Sequence, residues 1–307
     1  MVSPQTLNPA ADFPEFTHSV RVYSSNSIIR SYTGWPAARP LPFAMPHSYC
    51  PGIPCPDYCV SPLKYYWVYG DRHADLMLKN GYIGPKYLAR LGHPILYLQE
   101  PKSQERSGTL SMPDHMVGSE KLSENDFHQY CIGLMKLPEK FHPIYMSITP
   151  GMMPCLPICQ QYGIKTIILD QSHPMFLQFL RETCGRCKYA TSNYLGSPMW
   201  LSQLSGCLYF YYGQSFITND DKLIPCYKEH EALYSIENVH DDLDHKEDLV
   251  DTHLGRSYKS APDRLRARLD EWAKDYCYVM LTKLQTHFGH EKFLDILATA
   301  SEGCPRE

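Results

Sequence analysis

The stretch Pro143-Ile144-Tyr145-Met146-Ser147-Ile148-Thr149-Pro150-Gly151-Met152-Met153-Pro154-Cys155-Leu156-Pro157-Ile158-Cys159-Gln160-Gln161-Tyr162-Gly163-Ile164-Lys165-Thr166-Ile167-Ile168-Leu169 decides the reading of the fold. Pro143–Thr149 reads as a strand and Pro150–Met153 as a turn. Pro154–Tyr162 reads as one or two helical turns that Gly163 closes. Ile164–Leu169 is a nearly continuous apolar run, the pattern of a strand buried on both faces of a sheet. Strand, helix, strand in that order predicts an α/β domain, with Ile164–Leu169 an interior strand beside Pro143–Thr149 and helices over both faces.

Outward from that unit, Phe176–Glu182 reads as a helix and Cys207–Tyr212 as another strand. On the N-terminal side, Ser123 with Asp126 makes a capping-box-like start for a helix through Phe127, Tyr130, Leu134 and Met135. Lys102–Glu120 is polar and reads as a loop, Pro94–Leu98 as a strand, and Pro85 to Gly92 as a short helix. Asp71 is a plausible N-cap for a helix whose apolar face is Ala74, Met77 and Leu78 and which Gly81 stops. Ser19–Tyr23 and Ser27–Tyr32 alternate around Ser24-Ser25-Asn26 and predict a β-hairpin. Pro36–Pro62 reads as an extended, irregular segment.

The C-terminal part changes character. Glu237–Asp251 sets seven acidic residues against Lys246 alone and predicts a solvated linker. Ser260 with Asp263 opens a long amphipathic helix through Leu265, Leu269, Trp272, Tyr276, Met280 and Leu284. Gly289 ends it, and a short helix follows to about Ala300. The organisation expected is an extension at 1–16, an α/β domain at 17–213 with inserts at 36–62 and 100–122, an acidic linker at 214–259 and helices at 260–307.

Composition excludes several classes. With 307 residues, 43% hydrophobic and 20% charged, the chain has enough apolar material for a core and is not of the disordered type. Its 29 Lys+Arg against 33 Asp+Glu leave a net charge of −4, which argues against a protein held mainly by phosphate contacts. No apolar stretch approaches the ~20 residues a membrane helix needs. Twelve Cys are too few for a disulfide scaffold of this length, and residues 1–5 show neither a basic nor an apolar leader region. An intracellular protein with free thiols or metal-bound cysteines is expected.

No P-loop, no Gly-x-Gly-x-x-Gly opening a helix, no Gly-x-Ser-x-Gly and no His-Glu-x-x-His occurs. What remains is His73-Ala74-Asp75 at the start of one short helix and Pro154-Cys155-Leu156-Pro157-Ile158-Cys159 at the start of another. One His and two thiolates would supply the three protein ligands of a catalytic zinc and leave a position for water. A carboxylate two residues after the His could move that water's proton.

At these residues the sequence resembles the cytidine deaminase-like superfamily, whose signature is His-x-Glu followed by Pro-Cys-x-x-Cys. The resemblance covers roughly residues 17–213. It implies a three-layer α/β/α deaminase-like sheet, with the N-terminal Pro-rich segment and a C-terminal helical appendage outside it. It implies zinc ligands at His73, Cys155 and Cys159, and a proton shuttle at Asp75. Two departures stand: Asp75 in place of Glu, and a Cys-x₃-Cys spacing in place of Cys-x₂-Cys. The bland alternative is that His73 packs its helix and that Cys155 and Cys159 are core thiols.

Cys184-Gly185-Arg186-Cys187 is a true Cys-x₂-Cys, and Cys50, Cys55 and Cys59 cluster in the Pro-rich segment. These two groups are candidates for a second, structural metal site or for ordinary buried thiols. Tyr65, Tyr66, Trp67 and Tyr69 could stack on a base or form a strand. Lys86, Arg90, Arg181, Arg186 and Lys188 could form a basic patch for a short strand. The function expected is zinc-dependent deamination of a cytosine- or adenine-type base in a nucleoside, nucleotide or short single-stranded nucleic acid. The alternative is a catalytically inactive deaminase-like domain, or a zinc-stabilised interaction protein. In that reading the C-terminal helix meets a partner or a second copy. No substrate-binding residue is legible.

Overall fold

The structure is a computed structural model. It describes residues 15–16, 22–45, 63–79, 83–100, 105–113, 123–214 and 230–302. Cys50, Cys55, Cys59 and Gly81 lie outside the described residues, as does most of the Pro36–Pro62 segment. In chain order the elements are α1 (Ser25–Thr33), β1 (Tyr66–Val68), α2 (Asp71–Lys79), β2 (Leu88–Arg90), β3 (Thr109–Ser111), α3 (Glu124–Met135), β4 (Ile144–Ile148), α4 (Leu156–Gln161) and β5 (Lys165–Ile168). They continue as α5 (Phe176–Arg186), β6 (Tyr189–Ser192), α6 (Ser197–Leu204), β7 (Leu208–Tyr211), α7 (Leu243–Leu254), α8 (Pro262–Trp272), α9 (Tyr276–Phe288) and α10 (His290–Glu302). The chain divides into two compact units. Unit 1 is Met1–Ser48, Pro54–Leu98 and Gly255–Glu307; unit 2 is Tyr49–Ile53 and Gln99–Leu254.

In unit 1 the expected hairpin is replaced by α1. Tyr23 and Ser24 both adopt left-handed backbone, at φ 58° and 59°, and turn the chain just before the helix. Ile28 and Ile29 are buried, and Arg30 forms a buried ion pair with Glu15. The second carboxylate oxygen of Glu15 accepts from the Leu41 N–H at 2.8 Å, so the pair is hydrogen-bonded beyond itself. β1 and β2 pair in parallel, with α2 between them in the chain. Pro85–Tyr87 and Pro94–Tyr97 are single 3₁₀ turns, correcting the short helix and the strand expected there. The single long helix expected after Ser260 is two helices, α8 and α9. Asp275 lies between them and caps α9, its carboxylate accepting from the Cys277 N–H at 2.9 Å.

Unit 2 holds a five-stranded, all-parallel sheet in the order β5-β4-β3-β6-β7. The first strand in sequence is therefore central. The sheet grows outward through β4 to β5, then returns to add β6 and β7 on the other side of β3. Right-handed crossovers require the helices of the two halves to lie on opposite faces. The packing agrees: α3 and α4 contribute Phe127, Tyr130, Cys131, Leu134, Ile158 and Cys159 to one core, with Ile144, Met146, Ile148, Tyr189 and Phe210 from the sheet. Helix α6 packs against β6 and β7.

The sequence pattern misplaced parts of this sheet. The strand containing Ile164–Leu169 does neighbour β4, as expected, but it is the sheet's edge and Ile168 is 58% exposed. The interior position belongs to β3, inside the stretch read as a loop. Thr109-Leu110-Ser111 is short, with two polar residues of three, and its burial comes from strands paired on both sides rather than from its own hydrophobicity. The acidic stretch read as a linker contains α7, whose Val250, His253 and Leu254 are buried. His253 stacks on Trp200 at 4.2 Å between ring centroids. The Lys246 ammonium is also buried and donates to the Asn238 carbonyl. No helix among the described residues is long and apolar enough to cross a membrane.

Candidate functional site

In an open parallel sheet, the strand order reverses at one place. There, loops from neighbouring strands run to opposite faces and leave a crevice at their carboxyl ends. In unit 2 that place lies between β3 and β6. Ser111 and Thr191 are register partners there, and the Met112 N–H donates to the Thr191 carbonyl at 2.8 Å. The strand ends are built from small polar residues. Ser111, Thr191, Ser192 and Asn193 are all buried.

Each of these side chains is held by a neighbouring element, with one exception. The Ser111 hydroxyl is 2.8 Å from the Tyr130 hydroxyl of α3. The Ser192 hydroxyl lies 2.6 Å from the Tyr209 hydroxyl of β7 and donates to the Tyr194 carbonyl. The Asn193 amide donates to the Gln214 carbonyl at 2.9 Å. Burial raises the pKa of both Tyr130 and Tyr209, so both remain neutral hydroxyls. The exception is Thr191, whose hydroxyl oxygen is buried with no hydrogen-bond partner among the described residues.

The chain from β6 to α6 is also specific. Gly196 precedes α6 in extended backbone, and no side chain caps the helix. A Cβ at Gly196 would lie 2.4 Å from the Tyr194 ring, so the loop accepts only glycine without movement of that ring. At the end of β7, Gly213 has φ +91°, and a Cβ there would lie 2.7 Å from the Tyr130 ring. The described residues thus offer neutral hydroxyls and one amide, groups that meet a polar ligand by hydrogen bonding. A cavity of about 420 Å³ opens at the opposite end of the sheet, where Glu139, His142, Gly163 and Lys165 contribute to its lining. It lies at the amino ends of β4 and β5, away from the crevice.

The residues expected to hold zinc do not form a site. His73 belongs to unit 1, whereas Cys155 and Cys159 belong to unit 2. Among the described residues, no group of three or more His, Cys, Asp or Glu could hold a metal ion. His73 is buried, and its Nδ1 accepts the Tyr69 N–H at 3.2 Å. Burial pushes its pKa down to about 3, which keeps the ring neutral. Asp75 is 72% exposed, with Arg90 at 3.9 Å. Cys155 and Cys159 lie in the apolar core beside Cys131. Cys184 and Cys187 are buried near Cys207, whose thiol is 3.2 Å and 3.6 Å from their carbonyl oxygens.

The aromatic and basic residues expected at a base or a nucleic acid strand divide between the units. Tyr65 stacks on Trp272 at 5.1 Å, Trp67 packs on Phe43, and Tyr69 lies against His73 and His93. Of the basic patch, Lys86 and Arg90 belong to unit 1, while Arg181, Arg186 and Lys188 belong to unit 2. Arg181 is itself buried.

No protein-family model and no curated protein matches the chain. Among solved structures, the chain is similar to the wall teichoic acid polymerase TagF, at 12% identity over 73% of this chain and 62% of that one, with a TM-score of 0.41. It is similar to S. aureus MnaA with UDP, at 11% identity over 69% of this chain and 59% of that one, with a TM-score of 0.37. It is also similar to the lipopolysaccharide outer core galactosyltransferase WaaB, at 12% identity over 74% and 62%, with a TM-score of 0.27. The chain spans about three fifths of the length of these proteins. Likeness at this level assigns neither fold nor function.

The structures found are not cytidine deaminases. The sheet reverses about β3, the expected interior strand is an edge, and the expected ligands lie in separate units with no metal group formed. The deaminase-like resemblance is corrected on these grounds, and with it the zinc, the hydrolytic deamination and the zinc-stabilised alternative. A metal-activated water needs three ligands converging on one point, and no such group forms among the described residues.

Proposed function

We propose that unit 2 is a nucleotide-binding domain. Its ligand, a nucleotide or a nucleotide-linked group, would lie across the carboxyl ends of β3 and β6. The reversal of strand order about β3 carries this reading, because nucleotides bind at that position in doubly wound sheets. The buried polar strand ends at Ser111, Thr191, Ser192 and Asn193 support it. They place polar, hydrogen-bonding side chains where an ordinary core would place Val or Ile. All the side chains named in the crevice are neutral, so the reading is one of binding.

The test is calorimetric titration of the full chain with UDP, CDP, ADP and NAD, alongside Asn193→Ala and Gly196→Val. UDP is included because it is the ligand of the MnaA structure. Saturable binding of at least one nucleotide, weakened roughly tenfold or more by each variant, is expected; tenfold corresponds to about 1.4 kcal/mol. No binding at millimolar concentration, or binding that both folded variants retain unchanged, overturns the reading.

A further inference from the structure

Five of the eleven exposed large apolar side chains among the described residues lie on one helix, α9. They are Tyr276, Val279, Met280, Leu284 and Phe288. Tyr276 is 76% exposed, and each of the other four is more than a third exposed. The opposite side of α9 holds the helix to unit 1: Tyr278, Leu281 and Gln285 are buried, and the Tyr278 hydroxyl donates to the Pro40 carbonyl at 3.0 Å. The helix is thus fixed by one face and turns a second apolar face outward. Contiguous exposed apolar surface of this kind marks an interaction site.

Four of the five, Tyr276, Met280, Leu284 and Phe288, recur at every fourth position and form one ridge about 18 Å long. Ridges of this spacing pack beside the matching ridge of another helix, with the two axes crossing at about 50°. The ridge is also close to a palindrome. An aromatic ring stands at each end, and Met280 and Leu284, of nearly equal volume, stand at the centre. Turned about a two-fold axis at Thr282, Tyr276 of one copy meets Phe288 of the other, and Met280 meets Leu284.

We propose that the outer face of α9 is the docking surface for a second copy of this chain, which it meets antiparallel about that axis. A two-fold interface must be complementary to itself, and the order aromatic, Met, Leu, aromatic satisfies that condition. The area fits the same occupant. The five exposures amount to a little over two fully exposed large side chains, roughly 450 Å² per copy at ~200 Å² each. Two copies together would bury roughly 900 Å², at the weak and transient end of specific interfaces. The dimer is therefore reversible and concentration-dependent.

The full chain is examined by sedimentation velocity over a concentration series from low to high micromolar. A reversible monomer–dimer equilibrium is expected. Met280→Lys and Leu284→Glu, both at exposed positions, should each keep the wild-type circular dichroism and thermal transition. Each should weaken dimerisation roughly thirtyfold or more, the loss typical of an interface anchor. An equimolar mixture of the two variants should dimerise again, because the two-fold axis sets residue 280 of one copy against residue 284 of the other. Should either charged variant fail to fold, Tyr276→Ser at the most exposed position carries the test and should weaken the dimer in the same direction. A wild type that is monomeric throughout overturns the proposal. So does a dimer that the folded variants retain, or a mixture that stays monomeric. A monomer that floats with phosphatidylcholine–phosphatidylserine vesicles assigns the face to a lipid surface and likewise overturns it. The ridge belongs to unit 1 and no reading involves a nucleotide, so this test and that of the crevice fail separately.

Discussion

Ser111 and Thr191 face each other as register partners on β3 and β6, at the one place where the order of unit 2's sheet reverses. Both are fully buried, yet only Ser111 has a hydrogen-bonded neighbour in Tyr130. A buried hydroxyl without a partner costs roughly 1–3 kcal/mol. Replacing Thr191 with Val removes that cost and keeps the shape. Thr191→Val should leave stability unchanged or raise it by about 1 kcal/mol in urea titrations while weakening nucleotide binding. A loss of more than 1 kcal/mol would show that the hydroxyl is satisfied in the free protein.

Gly196 sets the path from β6 to α6. Its backbone is extended rather than left-handed, so the constraint is steric: a Cβ would lie 2.4 Å from the Tyr194 ring. Gly196→Ala should cost about 1–3 kcal/mol, the range for overpacking. The double variant Gly196→Ala with Tyr194→Ala should recover part of that loss. Equal losses in the single and double variants would place the strain elsewhere.

His73 and His93 give unit 1 a pH dependence of defined sign. Burial pushes both to about 3, below the ordinary value near 6.5. Below pH ~6.5 the unfolded chain binds protons that the folded chain does not, so stability falls with falling pH. It is fully present above pH ~6.5 and declines towards pH 3, by up to about 1.4 kcal/mol per pH unit for each histidine. Urea denaturation at pH 7 and pH 5 checks this. A His93→Gln variant should show a smaller difference than the wild type, and a wild-type difference near zero would contradict the burial.

The Glu15–Arg30 pair and the Lys64–Asp275 pair should differ sharply. Glu15 and Arg30 are nearly inaccessible, whereas the Lys64 side chain is 40% exposed. Removing one partner of a buried pair strands the other charge and costs about 3–5 kcal/mol. An exposed pair contributes about 0–1 kcal/mol. Glu15→Ala should therefore destabilise unit 1 by several kcal/mol, and Lys64→Ala far less. Comparable losses in chemical denaturation would sink this ranking.

Edge and interior positions of the sheet can be told apart in the same way. Ile148 on β4 is fully buried and Ile168 on β5 is 58% exposed. Ile148→Ala should cost about 2–5 kcal/mol. Ile168→Thr should stay within about 0.5 kcal/mol, as surface changes usually do. The reverse order would restore the interior strand that the apolar run Ile164–Leu169 suggested.

The sequence by itself determined the local elements whose signals are local. Ser123 caps α3, its side chain accepting from the Asp126 N–H at 3.3 Å; Asp71, expected as an N-cap, is instead the first residue of α2, and its carboxylate pairs with Arg90 at 2.8 Å. The βαβ unit from Pro143 to Leu169 and the α/β class also follow from periodicity within a few residues. Tertiary structure alone decided which strand is central. Ile164–Leu169 is more apolar than Thr109-Leu110-Ser111, yet β3 is interior because strands pair on both its sides and β5 is not. Hydrophobicity reports the burial a segment can tolerate, whereas the order of strands is set by pairing and crossover handedness between segments far apart in the chain. The crevice was illegible for the same reason. Ser111 and Thr191 are 80 positions apart in the sequence, and only the parallel register of β3 with β6 makes them neighbours. His73, Cys155 and Cys159 show the converse. Residue types and order matched a metal site, but ligation depends on convergence in space, and no group of three metal-ligating side chains forms among the described residues.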